Sequence, residues 1–194
     1  MTIVGTARPY EPVQVVGVCG SLYGGSTEAA LRVALNGAAE HGAQTELLVG
    51  SDLELPPYSP SMVGSDNVTR LLKAMTGADA IVLASPAYHG SISGLLKNAL
   101  DCVEELGSHD PPYLDGKAVG CVSVGAGVQG AANTLRTLRD IAHALRAWPV
   151  PMGAALNSTQ EMSKGVWDAA AHDKLRLVGR QVVDFALMSR GVGA

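Results

Sequence analysis

The sequence predicts an α/β protein built on a doubly wound parallel sheet with helices on both faces. Short apolar runs of strand length alternate with amphipathic segments of helical period along the chain. Several of these runs are apolar at nearly every position, which is typical of parallel strands covered on both faces. Five strands and five helices follow from the pattern, and right-handed crossovers between them give the double winding.

The first half of the chain contributes two predicted strands and two predicted helices. They are a strand at 13–19, a helix at 26–40, a strand at 43–49 and a short helix near 68–75. The second of these strands starts with polar residues, which favours a position near an edge of the sheet. A proline-rich segment at 51–64 is predicted to be a loop.

The second half continues the same alternation. Its predicted elements are strands at 79–84, 117–124 and 148–155 and helices at 94–106, around 135–145 and at 166–189. Pro149 and Pro151 interrupt the last strand. Because proline cannot donate a ladder hydrogen bond, we expect this strand at an edge of the sheet.

Composition limits the size and the partners of the protein. The 194 residues are 47% hydrophobic and 16% charged, enough to bury one full core, so we expect a single domain over 1–194 with an N-terminal extension at 1–11. A formal net charge of −4 disfavours nucleic-acid and anionic-membrane partners. The sequence contains no apolar stretch of transmembrane length, and residues 1–8 lack the basic region of a signal peptide, so we expect a soluble cytoplasmic protein.

The three cysteines predict neither disulfides nor a metal site. Cys19 and Cys121 fall in apolar strands and Cys102 falls in a helix. An odd, unclustered set of cysteines is typical of free thiols that pack as small hydrophobes.

The most informative segment is 85–101, Ser-Pro-Ala-Tyr-His-Gly-Ser-Ile-Ser-Gly-Leu-Leu-Lys-Asn-Ala-Leu-Asp. An apolar strand leads into a loop of small residues with Tyr88 and His89, and a helix begins near Gly94. Open parallel sheets bind ligands at such loops, at the carboxyl ends of their strands. The aromatic ring and the many backbone N–H donors suit a planar ring with polar edges.

A second glycine-rich loop, at 20–27, follows the first strand. Its hydroxyls lie at the start of a helix, where free N–H groups favour an anion: Ser21, Ser26 and Thr27. It is neither a P-loop nor a dinucleotide fingerprint. A mononucleotide phosphate fits the loop, and a helix cap with a flexible glycine turn is the alternative. Glu28, in the first helical turn, counts against a phosphate unless its side chain turns away.

A third loop, at 123–130, has the sequence Ser-Val-Gly-Ala-Gly-Val-Gln-Gly and follows the fourth strand. By itself it also fits an ordinary glycine-rich turn. In a doubly wound sheet, however, it lies beside the loop after the third strand, so both can contact one ring. Three such loops at three strand ends predict a single pocket for a ligand with a ring at one end and an anion at the other.

These segments resemble the NAD(P)H-dependent FMN reductases, which have the flavodoxin-like fold with strand order 2-1-3-4-5. The resemblance is carried by Gly-Ser-Leu at 20–22 with Ser26, and by the pattern Ser-Pro-x-Tyr-x-Gly-Ser-x-x-Gly-x-Leu-Lys-Asn-Ala-Leu-Asp at 85–101. Leu-Pro-x-Tyr at 55–58 and the glycines at 125–130 agree more loosely. The similarity extends over about 13–155.

The resemblance implies FMN as the cofactor and NADPH or NADH as the hydride donor. It places the FMN phosphate at the loop after the first strand, the isoalloxazine ring along the third-strand loop and its far edge at the fourth-strand loop. The implied contact residues are Ser21, Tyr23, Ser26, Thr27, Pro86, Ala87, Tyr88, His89, Gly90, Ser91, Ser123, Gly125 and Gly127. Many relatives have arginine in place of Tyr23, which implies weaker phosphate binding here.

Two aromatic residues of the third-strand loop have open roles. Tyr88 is either a neighbour of the ring or a core residue. His89 either donates a proton to a bound substrate or orients it, or it has a backbone-positioning or interface role. Hydride transfer to a flavin needs no protein acid, because the cofactor supplies the chemistry.

The implied activity is the reduction of flavin, a quinone or another small acceptor. The alternative is FMN-dependent dehydrogenation of a small cyclic substrate, as in the aminodeoxychorismate dehydrogenases of antibiotic pathways. An electron-transfer flavodoxin is disfavoured because its Thr-x-Thr-Gly-x-Thr loop is absent from the sequence. The family also implies a homodimer or tetramer whose interface borders the loop at 55–60, and a flavin-dependent monooxygenase as a further partner.

Overall fold

The computed structural model describes residues 11–60 and 65–192, with side chains as far as Arg190. The predicted N-terminal extension, apart from Glu11, and the end of the predicted proline-rich loop at 61–64 lie outside the described residues. No helix in the described part of the chain has an apolar stretch long enough to cross a bilayer.

The predicted flavodoxin-like sheet is confirmed. Within the described residues, five parallel strands are arranged in the order β2-β1-β3-β4-β5. Their bounds are β1 Gln14–Cys19, β2 Gln44–Leu48, β3 Ala80–Pro86, β4 Ala118–Gly125 and β5 Trp148–Asn157. β3 and β4 are buried at every position, whereas β2 is largely exposed, as expected at an edge.

Helices cover both faces of the sheet. They are α1 Ser26–Ala39, α2 Asp66–Gly77, α3 Gly94–Asp101, α4 Val128–Ala144 and α5 Ala169–Val192. α1 and α5 form one core with alternate strand residues such as Val82, and α2, α3 and α4 form the other with Ile81 and Leu83. Successive residues of a strand point to opposite faces, so each buried strand contributes to both cores.

α1 and α5 cross with their backbones almost in contact. A Cβ atom built on Gly179 would lie 1.9 Å from the carbonyl oxygen of Ala34 and 2.7 Å from the nitrogen of Ala38. On the facing side, a Cβ on Gly37 would lie 2.7 Å from the Cα of Arg176. The absence of side chains at these two glycines therefore sets the distance between the helices.

Two predicted helices have different bounds in the structure. The helix predicted at 94–106 is α-helical only to Asp101 and continues as a 3-10 helix, Cys102–Leu106. The helix predicted from 166 begins at Ala169, because the carboxylate of Asp168 accepts a hydrogen bond of 2.8 Å from the backbone N–H of Ala171 and caps it.

The residues before α5 form a small antiparallel hairpin that the sequence did not predict. Its strands are β6 Met162–Ser163 and β7 Val166–Trp167. The two residues between them, Lys164 and Gly165, have φ values of 50° and 80°. Positive φ at both central residues is the requirement of the tight hairpin turns that fit the twist of two strands.

β5 lies at an edge, as its prolines predict, and extends two residues beyond the predicted end to Asn157. Val119 of β4 pairs with Pro149 and Cys121 pairs with Gly153, so the pairing shifts between them. The ladder is interrupted where the prolines lie, and side chains bond the backbone there instead: Arg139 donates to the Val150 and Pro151 carbonyls, and Gln181 accepts from the Met152 N–H.

Candidate active site

A cavity of about 800 Å³ lies at the carboxyl ends of β1, β3 and β4. This volume is within the range of roughly 300–1,000 Å³ that is usual for small-molecule and cofactor sites. The lining residues are Gly20, Ser21, Leu22, Tyr23, Gly24, Gly25, Ser26, Thr27, Pro86, Ala87, Tyr88, Ser93, Gly94, Leu95, Val124, Gly125, Ala126 and Ser158. Residues from all three predicted loops thus line one cavity.

The loop after β1 presents the start of α1 to this cavity. The N-cap residue is Gly25, with φ of 116°. Glycine has no side chain to accept a hydrogen bond from the first turn, and the structure shows no side-chain capping bond at this position. The helix therefore leaves its first N–H groups without a side-chain cap, which favours an anion. Ser26 and Thr27 line the cavity at this point, and Ser21 shapes the loop by donating a hydrogen bond of 3.2 Å to the Tyr23 carbonyl.

Glu28 lies in the same helical turn but is already engaged. Its Oε1 accepts a hydrogen bond of 2.8 Å from Arg32 Nε and lies 2.7 Å from Arg32 Nη2 in an ion pair. Its other oxygen, Oε2, lies 3.7 Å from where a Cβ of Gly24 would be. The carboxylate thus stays beside the loop, with its charge partly balanced by Arg32.

The loop after β3 is tied to the start of α3 by serine hydroxyls. Ser85 Oγ donates to the Pro86 carbonyl at 2.9 Å and accepts from the Ser93 N–H at 2.9 Å. Ser93 Oγ in turn caps α3 by accepting from the Leu96 N–H at 3.2 Å. A Cβ on Gly20 would lie 2.6 Å from Ser93 Oγ, so only glycine lets the first loop approach this cap.

His89 occupies a tight turn outside the cavity lining. Tyr88 and Ser91 exchange two backbone hydrogen bonds of 3.0 Å, and the residues between them, His89 and Gly90, have φ of 51° and 81°. Thr134 of α4 holds the turn by donating to the Ser91 carbonyl at 3.0 Å. His89, Gly90 and Ser91 are all exposed. The observed place of His89 fits backbone positioning.

Tyr88 lines the cavity and is 59% exposed. It is therefore not a core residue, and its location supports the predicted role as a neighbour of the ligand ring. Ala87, beside it, is anchored to β4 by a hydrogen bond of 2.7 Å from its N–H to the Val124 carbonyl.

The loop after β4 contributes less than predicted. Gly125 lines the cavity, whereas Ser123 and Gly127 are not among its lining residues. Ser123 is fully buried and its Oγ donates a hydrogen bond of 2.6 Å to the Ala131 carbonyl, so its hydroxyl joins β4 to α4. Gly127 is the N-cap of α4.

Sequence reasoning missed a fourth contribution, from the end of β5. Ser158 lines the cavity and donates to the Gly125 carbonyl through its N–H at 2.9 Å and its Oγ at 3.3 Å. The position of this segment could have predicted the contribution. β5 is parallel to β4, so its carboxyl end lies at the edge of the sheet where the cavity forms.

The proline-rich loop is held against α3 by one amide side chain. Asn98 Nδ2 donates to the Pro56 carbonyl at 3.0 Å, and Asn98 Oδ1 accepts from the Tyr58 N–H at 2.8 Å. These bonds give a structural role to Asn98, the asparagine of the Lys-Asn pair in the 85–101 motif.

The cysteines are free and buried, as predicted. Burial raises the pKa of Cys19 to about 11 and that of Cys121 to about 12, so neither forms a thiolate near neutral pH. Among the described residues, no cluster of His, Cys, Asp and Glu is suited to hold a metal ion.

The lining residues supply binding rather than acid–base chemistry. Of the described residues that line the cavity, none is Lys, Arg, His, Asp or Glu, and the ionisable side chains are Tyr23 and Tyr88. Neutral hydroxyls, the N-terminus of α1 and two aromatic rings suit a ligand with an anionic group and a flat ring. A site of this composition binds a cofactor that carries the reactive chemistry itself.

Comparison with known proteins agrees with this site. Residues 13–161 match the family of NADPH-dependent FMN reductases. An NAD(P)H-dependent FMN reductase of Pseudomonas aeruginosa is 29% identical over 185 residues, which cover 93% of this chain and 97% of that protein. An iron-sulfur flavoprotein of Methanocaldococcus jannaschii is 35% identical over 131 residues, which cover 63% of this chain and 67% of that protein.

Among solved structures, the NAD(P)H:acceptor oxidoreductase FerB of Paracoccus denitrificans has the same fold. It is related with a TM-score of 0.73 at 23% sequence identity, covering 90% of this chain and 97% of that one. The sheet order, the cavity at the strand ends and the family match lead to one conclusion. The chain belongs to the NADPH-dependent FMN reductase family and is an NAD(P)H-dependent FMN oxidoreductase.

Proposed function

We propose that the cavity is the FMN site and that the protein passes electrons from NADH or NADPH, through FMN, to a small acceptor such as free flavin or a quinone. The observation that carries the proposal is the cavity itself: the N-terminus of α1 and the loops after β3 and β4 line one space of about 800 Å³. The 194-residue chain then acts as one FMN-binding domain.

The residues fit FMN at both ends of the cavity. At one end, Ser26, Thr27 and the α1 N-terminus offer neutral hydrogen-bond donors and a positive dipole to a phosphate. At the other, Pro86, Ala87 and Tyr88 offer a wall of apolar and aromatic surface to the flavin ring. When bound, FMN supplies the hydride and electron chemistry.

The protein residues bind and orient the reactants. Ala87 and Gly125 leave room beside the β3 loop because neither carries a large side chain. The Tyr88–Ser91 turn is fixed by its own hydrogen bonds and by Thr134, so it holds Tyr88 at the cavity wall. Geometry of this kind accelerates a transfer between two bound groups by holding them close and aligned.

We expect the FMN-loaded protein to be reduced rapidly by NADH or NADPH under anaerobic conditions, because the lining residue Ala87 has a small side chain that leaves that side of the cavity open to a nicotinamide ring. Stopped-flow loss of flavin absorbance measures this. Fast bleaching by either nicotinamide supports the reductase. Bleaching by a cyclic dihydroaromatic acid alone, with both nicotinamides inert, would assign the pocket to the dehydrogenase reaction instead.

We also propose that two copies of the chain associate across the mouth of the cavity. Four large apolar side chains are exposed on the loops after β1 and β3 and at the start of α4: Leu22 (41%), Tyr23 (86%), Tyr88 (59%) and Val128 (66%). Apolar residues grouped around a site in this way mark an interaction surface. A second copy is the occupant that the family resemblance implies.

Val128→Asp should weaken this dimer, because the substitution places a charge in the interface while an acidic residue in the first turn of α4 is compatible with the helix. Light scattering at tens of micromolar would report the mass. Val166→Asp is the matched control: Val166 is similarly exposed, at 64%, but lies on the β6–β7 hairpin, whereas Val128 follows the lining residues Gly125 and Ala126 in the chain. Monomeric wild-type protein would contradict the proposal.

Two further parts of the proposal concern the cell. The three free cysteines suit a reducing compartment, so we propose that the protein is cytoplasmic. Fractionation of the native host would test this.

We propose in addition that reduced flavin released from the site serves a flavin-dependent monooxygenase. Coupled turnover with such an enzyme in the presence of catalase would show whether free reduced flavin is the product.

A further inference from the structure

We propose that the Glu28–Arg32 pair sets how strongly this site prefers phosphorylated flavin, and that Glu28 keeps the preference small. The protein should therefore accept riboflavin nearly as well as FMN. This inference rests on the proposed function, because it concerns the phosphate end of the same cavity. It assigns a specificity role to a residue that does not itself line the cavity.

The donors at the phosphate end of the cavity carry no full positive charge. The cavity residues there are Ser21, Ser26 and Thr27, with the N-terminus of α1. Among the described lining residues, a cationic side chain is absent. Neutral donors bring no full positive charge to a phosphate, whereas an arginine adds a charge–charge attraction and two parallel hydrogen bonds. The phosphate therefore gains less here than it would beside an arginine.

The Glu28 carboxylate lies beside the loop that forms the phosphate end of the cavity. Its side chain is only 18% exposed, and Oε2 lies 3.7 Å from the Cβ position of Gly24, which lines the cavity. A half-buried carboxylate such as this one is less screened by solvent than a fully exposed one. It repels a phosphate dianion and has no such effect on the neutral ribityl hydroxyl of riboflavin.

Arg32 contacts the carboxylate at one oxygen. Its hydrogen bond from Nε and its ion-pair contact from Nη2 both go to Oε1 of Glu28, whereas Oε2, which shares the carboxylate charge, is the oxygen beside Gly24. Arg32 is 58% exposed, and its guanidinium is thus more screened than the carboxylate that it pairs with. Arg32 reduces the repulsion but does not remove it.

The experiment measures the dissociation constants of FMN and riboflavin separately, by quenching of flavin fluorescence in the presence of each variant. For the wild type we expect FMN to bind no more than about tenfold more tightly than riboflavin. Glu28→Gln should tighten FMN by about tenfold and leave riboflavin unchanged, because it removes one charge beside the phosphate. Arg32→Gln should weaken FMN and again leave riboflavin unchanged.

The double variant separates two roles of Arg32. If Arg32 acts by balancing Glu28, then Arg32→Gln has little effect when Glu28→Gln is already present. A full loss of FMN affinity in the double variant would show that Arg32 binds the phosphate directly and would overturn the inference. Asp184→Asn is the control, because it breaks another i,i+4 pair, Arg180–Asp184 on α5, with the same change of charge.

The outcomes distinguish this inference from the proposed function. A wild-type protein that binds FMN at least 1,000-fold more tightly than riboflavin, with Glu28→Gln unchanged, overturns the inference and leaves the FMN site in place. A protein that binds neither flavin overturns the proposed function itself. Raising the ionic strength should reduce the effect of Glu28→Gln, since screening weakens a charge–charge term and not a steric one.

Discussion

Gly179→Ala is expected to destabilise the protein by about 3 kcal/mol or more, at the upper end of what overpacking costs. The added methyl group would lie 1.9 Å from the Ala34 carbonyl oxygen and 2.7 Å from the Ala38 nitrogen. Both contacts are with the backbone of α1, so no side chain can rotate away. α1 and α5 must separate, and the separation opens the core on that face of the sheet.

Thermal unfolding measures this loss. A destabilisation of about 3 kcal/mol should lower the midpoint by roughly 6–12 °C in a chain of this size. Gly77→Ala is the matched control: Gly77 ends α2, and a Cβ built there meets nothing within 4 Å. We expect that variant to unfold at the wild-type temperature or slightly above it. Equal midpoints for the two variants would show that the helix crossing relaxes freely.

The same crossing shows why the fold could be predicted and this contact could not. The apolar period of α1 and α5 identifies two helices with buried faces, and the continuous apolar strands identify a covered parallel sheet. Gly37 approaches Arg176, and Gly179 approaches Ala34 and Ala38, only after both helices have packed on the sheet. A glycine within a helix carries no sequence signal for the neighbour that it will contact.

For the candidate site too, the sequence predicted the position but not the placement of every side chain. Its position followed from the small-residue loops at the ends of three predicted strands, because parallel strands present their carboxyl ends at one edge. Individual side chains depended on packing. The hydroxyl of Ser123 bonds to α4, and Ser158 reaches the cavity because β5 continues to Asn157. The orientation of the Ser123 hydroxyl and the location of Ser158 at the cavity both depend on residues that are distant in the sequence.

Turn chemistry explains the remaining differences. Lys164 and Gly165 form a two-residue hairpin turn, although Asn-Gly or Asp-Gly is the stronger signal for that turn. His89 and Gly90 form a second turn with two positive φ values. In both turns the glycine accepts the strained conformation without cost, and the hydrogen bonds around the turn hold the preceding residue in it.

The phosphate end of the cavity gives the largest expected effect on binding. Ser26→Asp should weaken FMN by about 100-fold or more, because a carboxylate at the first position of α1 would occupy the place where the phosphate is proposed to bind. The fold should tolerate the change, since acidic residues are favoured in the first turn of a helix. Loss of binding would thus not follow from unfolding.

Titration of FMN and riboflavin against Ser26→Asp, with Ser26→Asn as the uncharged control, tests this step. The aspartate repels the phosphate and cannot repel the neutral end of riboflavin, so FMN should lose far more affinity than riboflavin does. Ser26→Asn removes the hydroxyl without adding charge. It should therefore weaken FMN binding less, by about tenfold, which corresponds to the loss of one hydrogen bond to a charged acceptor. Thermal unfolding of both variants near the wild-type midpoint establishes that the fold is intact. Equal losses for the two flavins in Ser26→Asp would place the phosphate elsewhere, because a steric block acts on both ligands and a charge acts on one.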